Sequence, residues 1–160
     1  VSNIKKGLVN FKGVQRRFNK IFTYNKIDFY DDYAHHPTEI RSVLEGVKKV
    51  FHNYEKVCIF QPHRISRLKD LRKEFSLSFK NADTVILCPI YTAGEKIKLG
   101  FSYQKFANEI INNSKVKLFM VQDNVQLSKF LKHNMYGKKI VIGMGAGSIS
   151  NWMKKLPELM

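Results

Sequence analysis

The chain has 160 residues, 44% hydrophobic and 26% charged, enough for one domain with a real core, and its 9 Gly and 4 Pro exclude a collagen-like or low-complexity chain. Its net charge of +15 attracts polyanions, yet the lysines are scattered in pairs such as Lys48-Lys49 and Lys138-Lys139, with no longer basic run and no interleaved stacking aromatics, so a general positive field is expected and a dedicated nucleic-acid surface is not favoured. No apolar run approaches the ~20 residues that span a bilayer, and Val1 to Lys6 lack the apolar core of a signal peptide, so no membrane partner is expected.

Elements follow in chain order. Val14 to Tyr24, with Arg16-Arg17-Phe18 and Phe22-Thr23-Tyr24 split by Asn19-Lys20, predicts a small hairpin packed on a sheet edge. Ile27 to Asp31 reads as a short strand ending in acid. Pro37 to Phe51 has helical spacing, with Ile40, Val43, Leu44, Val47, Val50 and Phe51 in one stripe and Pro37 suited to the first helical position. Lys56 to Gln61 is a continuous apolar run, the mark of a strand buried on both faces. Ser66 to Lys80 carries Leu68, Leu71, Phe75 and Phe79 at helical spacing, with Ser66 as its cap. Asp83 to Cys88 is a third buried strand, stopped by Pro89. Phe101 to Asn112 reads as a helix, Lys117 to Val121 as a strand, Asp123 to His133 as a helix with an acidic cap, Lys139 to Gly143 as a fifth strand, and Gly147 to Lys155 as the start of a last helix. Cys58 and Cys88 lie inside apolar runs and read as buried free thiols of a reducing compartment.

Strand and helix alternating over the whole length predict an α/β domain, an open and mostly parallel sheet with helices on both faces. Ligands in such sheets bind beyond the carboxyl ends of the strands. Two polar clusters fall there. In Asp31-Asp32-Tyr33-Ala34-His35-His36-Pro37-Thr38-Glu39, an aspartate at a strand end suits a ribose hydroxyl, and histidines at a helix start suit acid–base work or an anion. The same segment fits a plainer role, with Asp32 capping the turn and His36 packed beneath it. Adjacent histidines point apart and lack the i, i+4 spacing of a helical zinc pair, so no metal site is expected. In Phe60-Gln61-Pro62-His63-Arg64-Ile65-Ser66-Arg67, two of the chain's six arginines flank a helix start. A lysine-rich chain that places arginine there is using the fork geometry, which suits a carboxylate or phosphate against free backbone N–H groups. Gly143-Met144-Gly145-Ala146-Gly147 falls short of a dinucleotide fingerprint, because Ser148 stands where a further glycine is needed, and it reads as a tight turn with close helix packing. The chain contains neither a Gly-x-x-x-x-Gly-Lys-Ser/Thr phosphate loop nor a Gly-x-Ser-x-Gly nucleophile elbow.

Both clusters, with Tyr91-Thr92-Ala93-Gly94-Glu95, Gly145-Ala146-Gly147 and the upstream Phe11-Lys12-Gly13-Val14-Gln15-Arg16-Arg17-Phe18, resemble the C-terminal domain of the Mur ligase family over about residues 11–155. The resemblance implies a Rossmann-like domain at 12–160, preceded at 1–11 by a linker or the end of another domain. It implies a cytoplasmic, three-domain, ATP- and magnesium-dependent ligase of peptidoglycan precursor synthesis, of which this chain is one part and inactive alone. ATP would convert the lactyl carboxylate of a UDP-sugar to an acyl phosphate, and an amino acid's amine would displace the phosphate. The pattern is nearest to members that join L-alanine to UDP-N-acetylmuramate; a sibling activity joins a tripeptide to the same sugar. The resemblance further implies Tyr33, His35, His63, Arg64 and Arg67 around the alanine and the reaction centre, with the arginines on the alanine carboxylate and the catalytic histidines His35 and His63 on the acyl phosphate or oxyanion. Arg17 and Asp32 would reach ATP, with Asp32 on the ribose. Readings of other classes are a basic nucleic-acid-binding domain and a nucleotide-sensing module.

Overall fold

The computed structural model describes residues 15–96 and 101–160. The elements are β1 (Asn19–Tyr24), β2 (Ile27–Asp32), α1 (Pro37–Val50), β3 (Glu55–Phe60), α2 (Ile65–Asp70), α3 (Arg72–Leu77), β4 (Thr84–Leu87), α4 (Tyr103–Ser114), β5 (Lys117–Met120), α5 (Asn124–Asn134), β6 (Lys139–Met144) and α6 (Ile149–Leu159). They build one six-stranded sheet in the order β1-β2-β6-β3-β4-β5. Every neighbouring pair runs parallel except β1 and β2. The expected open, mostly parallel sheet is therefore present. The chain leaves β2, builds outward through β3, β4 and β5, and returns to place β6 between β2 and β3, so the strand order switches direction beside β6.

Strand alternation sends the two faces to two cores. Cys58, Phe60, Val85, Leu87, Ile140 and Ile142 face the layer of α1, α3 and α4. Val57, Ile59, Ile86, Cys88 and Val141 face α5 and α6. Both cysteines are buried free thiols on opposite faces of the sheet, and burial pushes the Cys88 thiol up to about 12.

Local chemistry sets the ends of these elements. Helix α1 begins at Pro37, where the missing N–H costs nothing. His36 caps it: its Nδ1 accepts the Thr38 N–H at 3.4 Å, while Glu39 Oε2 accepts the His36 N–H at 3.0 Å. His36 is thus a partly exposed cap and does not pack under the turn. Asp123 caps α5 as expected, its Oδ1 accepting from the Gln126 N–H at 2.7 Å.

Three expectations need correction. The hairpin lies further along than residues 14–24: β1 turns at Asn25-Lys26 and pairs with β2, Tyr24 opposite Ile27. Both turn residues have positive φ, 49° and 63°, which matches a two-residue hairpin, but a lysine there carries no turn signal. The helix expected over 66–80 breaks at Leu71 (φ −111°, ψ 24°) into α2 and α3, although its apolar spacing continues across the break. Ser66 is not the cap of α2, which starts at Ile65 after Arg64 with no side-chain cap of its own. Ser66 instead donates to Glu95, from its N–H to Oε2 at 3.0 Å and from its hydroxyl to Oε1 at 2.6 Å.

Candidate active site

The carboxyl ends of β2, β6, β3 and β4 lie side by side and carry four loops, tied by backbone bonds. The Gly145 N–H reaches Asp32 O at 3.3 Å, Gln61 N–H reaches Met144 O at 3.0 Å, and Cys88 N–H reaches Phe60 O at 2.9 Å. Beyond them, Tyr91 N–H donates to Pro62 O and Arg64 N–H to Tyr91 O, each at 2.8 Å. These last two bonds seat the loop after β4 directly on the loop after β3. The turn between β6 and α6 has to be thin. A Cβ on Gly145, where φ is 148°, would sit 2.7 Å from Gln61 O, and one on Gly147 would sit 2.5 Å from Tyr91 Cγ. The glycines therefore serve close packing of loops, in keeping with the tight turn read from sequence. Gln61 fixes that turn: its Oε1 accepts the Ile149 N–H at 2.9 Å and its Nε2 donates to Ser148 Oγ at 3.0 Å.

At the end of β2, Asp31 and Asp32 are both buried. Asp32 Oδ1 accepts the Ala34 N–H and Oδ2 the Phe18 N–H, each at 2.8 Å. It thus does cap the turn, and each oxygen keeps a second lone pair. Burial pushes its pKa up, opposed by the two N–H donors and reinforced by the charge of Asp31. Asp31 Oδ2 accepts from Ser150 Oγ at 2.6 Å and lies 3.4 Å from Arg16 Nε. Arg16 also donates through Nη2 to Gly145 O, stacks over the Tyr33 ring at 4.7 Å, and accepts the Tyr33 N–H on its carbonyl at 2.7 Å. One arginine thereby locks the incoming segment to the ends of β2 and β6. Arg17 is exposed, and with Phe18, Asp32, Thr38, Ser42 and Val43 it lines a shallow cavity of about 460 Å³.

At the ends of β3 and β4 a row of rings crosses the site. Tyr33 and His35 meet edge to face at 5.0 Å between centroids, His35 and His63 at 5.9 Å, and His63 stacks on Tyr91 at 5.4 Å with 15° between planes. Arg67 Nη1 lies 3.3 Å from His63 Nδ1. Burial lowers the His63 pKa, helped by Arg67, His35 and Arg64 and opposed by Glu95. The hydroxyl of Ser66, then its backbone N–H, hold the Glu95 carboxyl below its usual range. Glu39 is held low in the same sense: burial works against this, but the N–H groups of His35 and His36 and their two rings outweigh it.

The fold brings Tyr33, His35, His63 and Arg67 into one row, and puts Arg17 and Asp32 on the adjoining cavity. Arg64 is exposed at the mouth, at φ 67°, and its side chain makes no hydrogen bond among the described residues. The helix start beside it is partly filled already, because Glu95 takes the N–H of Ser66 that the sequence left free for a ligand. Three contributors had no role assigned from sequence: Arg16, Tyr91 and Glu95. The last two sit just after a strand stopped by Pro89, the position where the strand-end rule directs attention. Nothing in the sequence separates Arg16 from Arg17. Among the described residues no group of three or more His, Cys, Asp or Glu is placed to hold a metal ion.

Fold and site together define a doubly covered α/β domain with a cationic, imidazole-bearing crevice at its switch point. Residues 16–147 match the family model described as Mur ligase, glutamate ligase domain. A UDP-N-acetylmuramate–L-alanine ligase of Pelagibacter ubique is 73% identical over 157 residues, covering 98% of this chain and 34% of that protein. The ligase of the same name from Rickettsia typhi is 40% identical, covering 98% and 32%. Among solved structures, the UDP-N-acetylmuramate-alanine ligase of Thermotoga maritima matches with a TM-score of 0.72 at 28% identity, over 96% of this chain and 31% of that one. A murein peptide ligase from Psychrobacter arcticus shares the fold, with a TM-score of 0.73 at 21% identity over 96% and 32%. The chain belongs to the Mur ligase family, as its C-terminal domain. It spans about a third of the length of the curated relatives it matches.

Proposed function

We propose that this chain is the amino-acid-binding domain of a cytoplasmic ATP-dependent ligase that joins L-alanine to UDP-N-acetylmuramate in peptidoglycan precursor synthesis. The observation that carries the reading is the meeting of the histidine loop after β2 with the histidine–arginine loop after β3, His35 against His63, on one crevice beside the cavity of Arg17 and Asp32. The choice of L-alanine over a tripeptide is supported by the 73% identical relative, whose name states that activity.

The nucleotide-side cavity suits a ribose: Asp32 offers unused carboxylate lone pairs at its wall, and Arg17 an exposed fork at its rim. ATP supplies the activation of the sugar's carboxylate as an acyl phosphate. On this reading the magnesium and most phosphate contacts belong to the upstream domains of the ligase, without which this domain does not ligate. Arg64 and the N–H groups of Arg67 not engaged with His63 hold the alanine carboxylate, which fixes its amine for attack. His35 and His63 flank the reacting carbonyl, where an imidazole N–H stabilises the oxygen that gains charge. Tyr33, held by Arg16, closes the side of the crevice.

The test is phosphate release by this domain joined to its native upstream sequence, with ATP, magnesium and UDP-N-acetylmuramate, and either L-alanine or the tripeptide added. Release that requires L-alanine supports the proposal. Release only with the tripeptide transfers the domain to the sibling activity, and silence with both, from folded protein, removes the ligase reading.

A further inference from the structure

The neighbours of the two ring-row histidines fix where their protons sit. Among the described residues His35 Nδ1 faces only acceptors, the carbonyl of Tyr33 at 3.0 Å and Glu39 Oε2 at 3.4 Å. A carbonyl cannot donate, so this nitrogen carries the proton. His63 Nδ1 faces the Nη1 of Arg67 at 3.3 Å. A guanidinium cannot accept, so this nitrogen carries the lone pair and the neutral ring has its proton on Nε2. The stack on Tyr91 sets the plane of the His63 ring, and Tyr91 is itself backed by the Gly147 turn and tied to Pro62 and Arg64 through its backbone.

We infer that His35 and His63 are held in opposite tautomers and divide the proton work between them, His35 offering an acceptor lone pair on Nε2 and His63 a donor N–H on Nε2, with Arg67 and Tyr91 as the positioning residues of His63. The assignment of work rests on the ligase reading; the tautomers do not. In the amide-forming step the lone pair of the neutral alanine nitrogen forms the C–N bond. The C–O bond to phosphate then breaks, and its electron pair leaves on the phosphate oxygen. The extra proton on nitrogen passes to His35 Nε2, and the carboxylate of Glu39, beside Nδ1, stabilises the imidazolium that results. His63 keeps its proton throughout and donates a hydrogen bond to the carbonyl oxygen while that oxygen is anionic.

The charged and titratable groups around the pair define what a pH titration meets. Arg64 and Arg67 come from the β3–α2 side, Glu95 and Tyr91 from the loop after β4, and Glu39 and Tyr33 from the β2–α1 side. Burial and the two arginines favour the neutral ring of His63, against Glu95.

Long-range proton–nitrogen correlation spectra of the 15N-labelled 160-residue chain at pH 8 read the tautomers directly, with assignments from His35→Asn and His63→Asn. The expected result is a single Nδ1–H tautomer for His35 and a single Nε2–H tautomer for His63. In Arg67→Met, His63 should populate both tautomers and its titration midpoint should rise. A His63 protonated on Nδ1, a His35 protonated on Nε2, or an Arg67→Met spectrum with the tautomer and midpoint of His63 unchanged overturns the inference. Should Arg67→Met give a collapsed spectrum, the tautomers of the unsubstituted chain decide alone. No substrate is present, so this result is separate from the phosphate-release assay that tests the ligase reading.

Discussion

Arg16 shows how one side chain joins local backbone geometry to the site. Its φ of 61° turns the chain so that carbonyl and guanidinium both reach the strand ends, one to the Tyr33 N–H and the other to Asp31, Gly145 and the Tyr33 ring. Removing it leaves the Asp31 carboxylate buried with Ser150 as its one donor among the described residues. A fully buried pair broken this way costs about 3–5 kcal/mol; the Arg16 side chain keeps 22% exposure, so Arg16→Ala should cost roughly 2 kcal/mol, seen as a lower urea midpoint. Arg16→Lys, which keeps the charge and loses the fork, should recover only part of it. A substitution without effect would show that Asp31 does not depend on Arg16. His63 makes a second residue-level prediction. Its pKa in the fold lies below its ordinary 6.5, so the unfolded chain binds more protons between the two values. The stability contributed by the neutral ring is complete above about pH 6.5 and is lost as pH falls through the lower folded value. The urea midpoint should therefore drop less between pH 7.5 and 5.5 in His63→Gln than in the original chain, and equal drops would contradict the lowered pKa.

Elements matter through the loops they bring to one edge. The β6–α6 turn is thin because Tyr91 and Gln61 pack against its glycines. Gly147→Ala puts a methyl into the Tyr91 ring, and overpacking of this kind costs about 1–3 kcal/mol. The thermal midpoint should fall, and the His63 ring signals should shift with Tyr91, because the two rings stack; a lower midpoint with unmoved His63 signals would mean the stack is not shared. Most elements were readable from sequence, since burial on both faces of a parallel sheet writes continuous apolar strands such as 57–60 and 84–87. The features that were not readable are set by backbone conformation at residues with no signal for it. Lys26 and Arg64 adopt positive φ without being Gly or Asn, and Leu71 interrupts a helix while keeping its apolar spacing. The same limit governs the site. His35, His63 and Arg67 were visible as dense polar clusters at strand ends, but Glu95 becomes visible as a partner of α2 only once β4 is seated beside β3.

The whole molecule carries a charge of +15, most of it from lysines, while four of its six arginines, Arg16, Arg17, Arg64 and Arg67, lie at the strand ends around the site. Such a field raises the encounter rate with anionic substrates and falls off with salt. Duplex DNA should bind this chain weakly, lose binding steeply as salt rises, and bind Arg64→Ala equally well, as anisotropy titrations would report. Tight binding at physiological salt that depended on Arg64 would instead put a nucleic-acid face on the crevice. The sheet order places β6 between β2 and β3 and so sets the nucleotide-side cavity against the ring row, two subsites sharing one wall at Tyr33. The two subsites should therefore be separable by substitution.

The most direct test measures the Michaelis constants for L-alanine and for ATP in Arg64→Ala, with the domain joined to its native upstream sequence. The predicted result is an L-alanine constant raised by about tenfold or more, the loss expected for a charge-assisted hydrogen bond to a carboxylate, with the ATP constant unmoved. An unchanged L-alanine constant, or an equal rise in both, would contradict the assignment of the crevice to the amino acid.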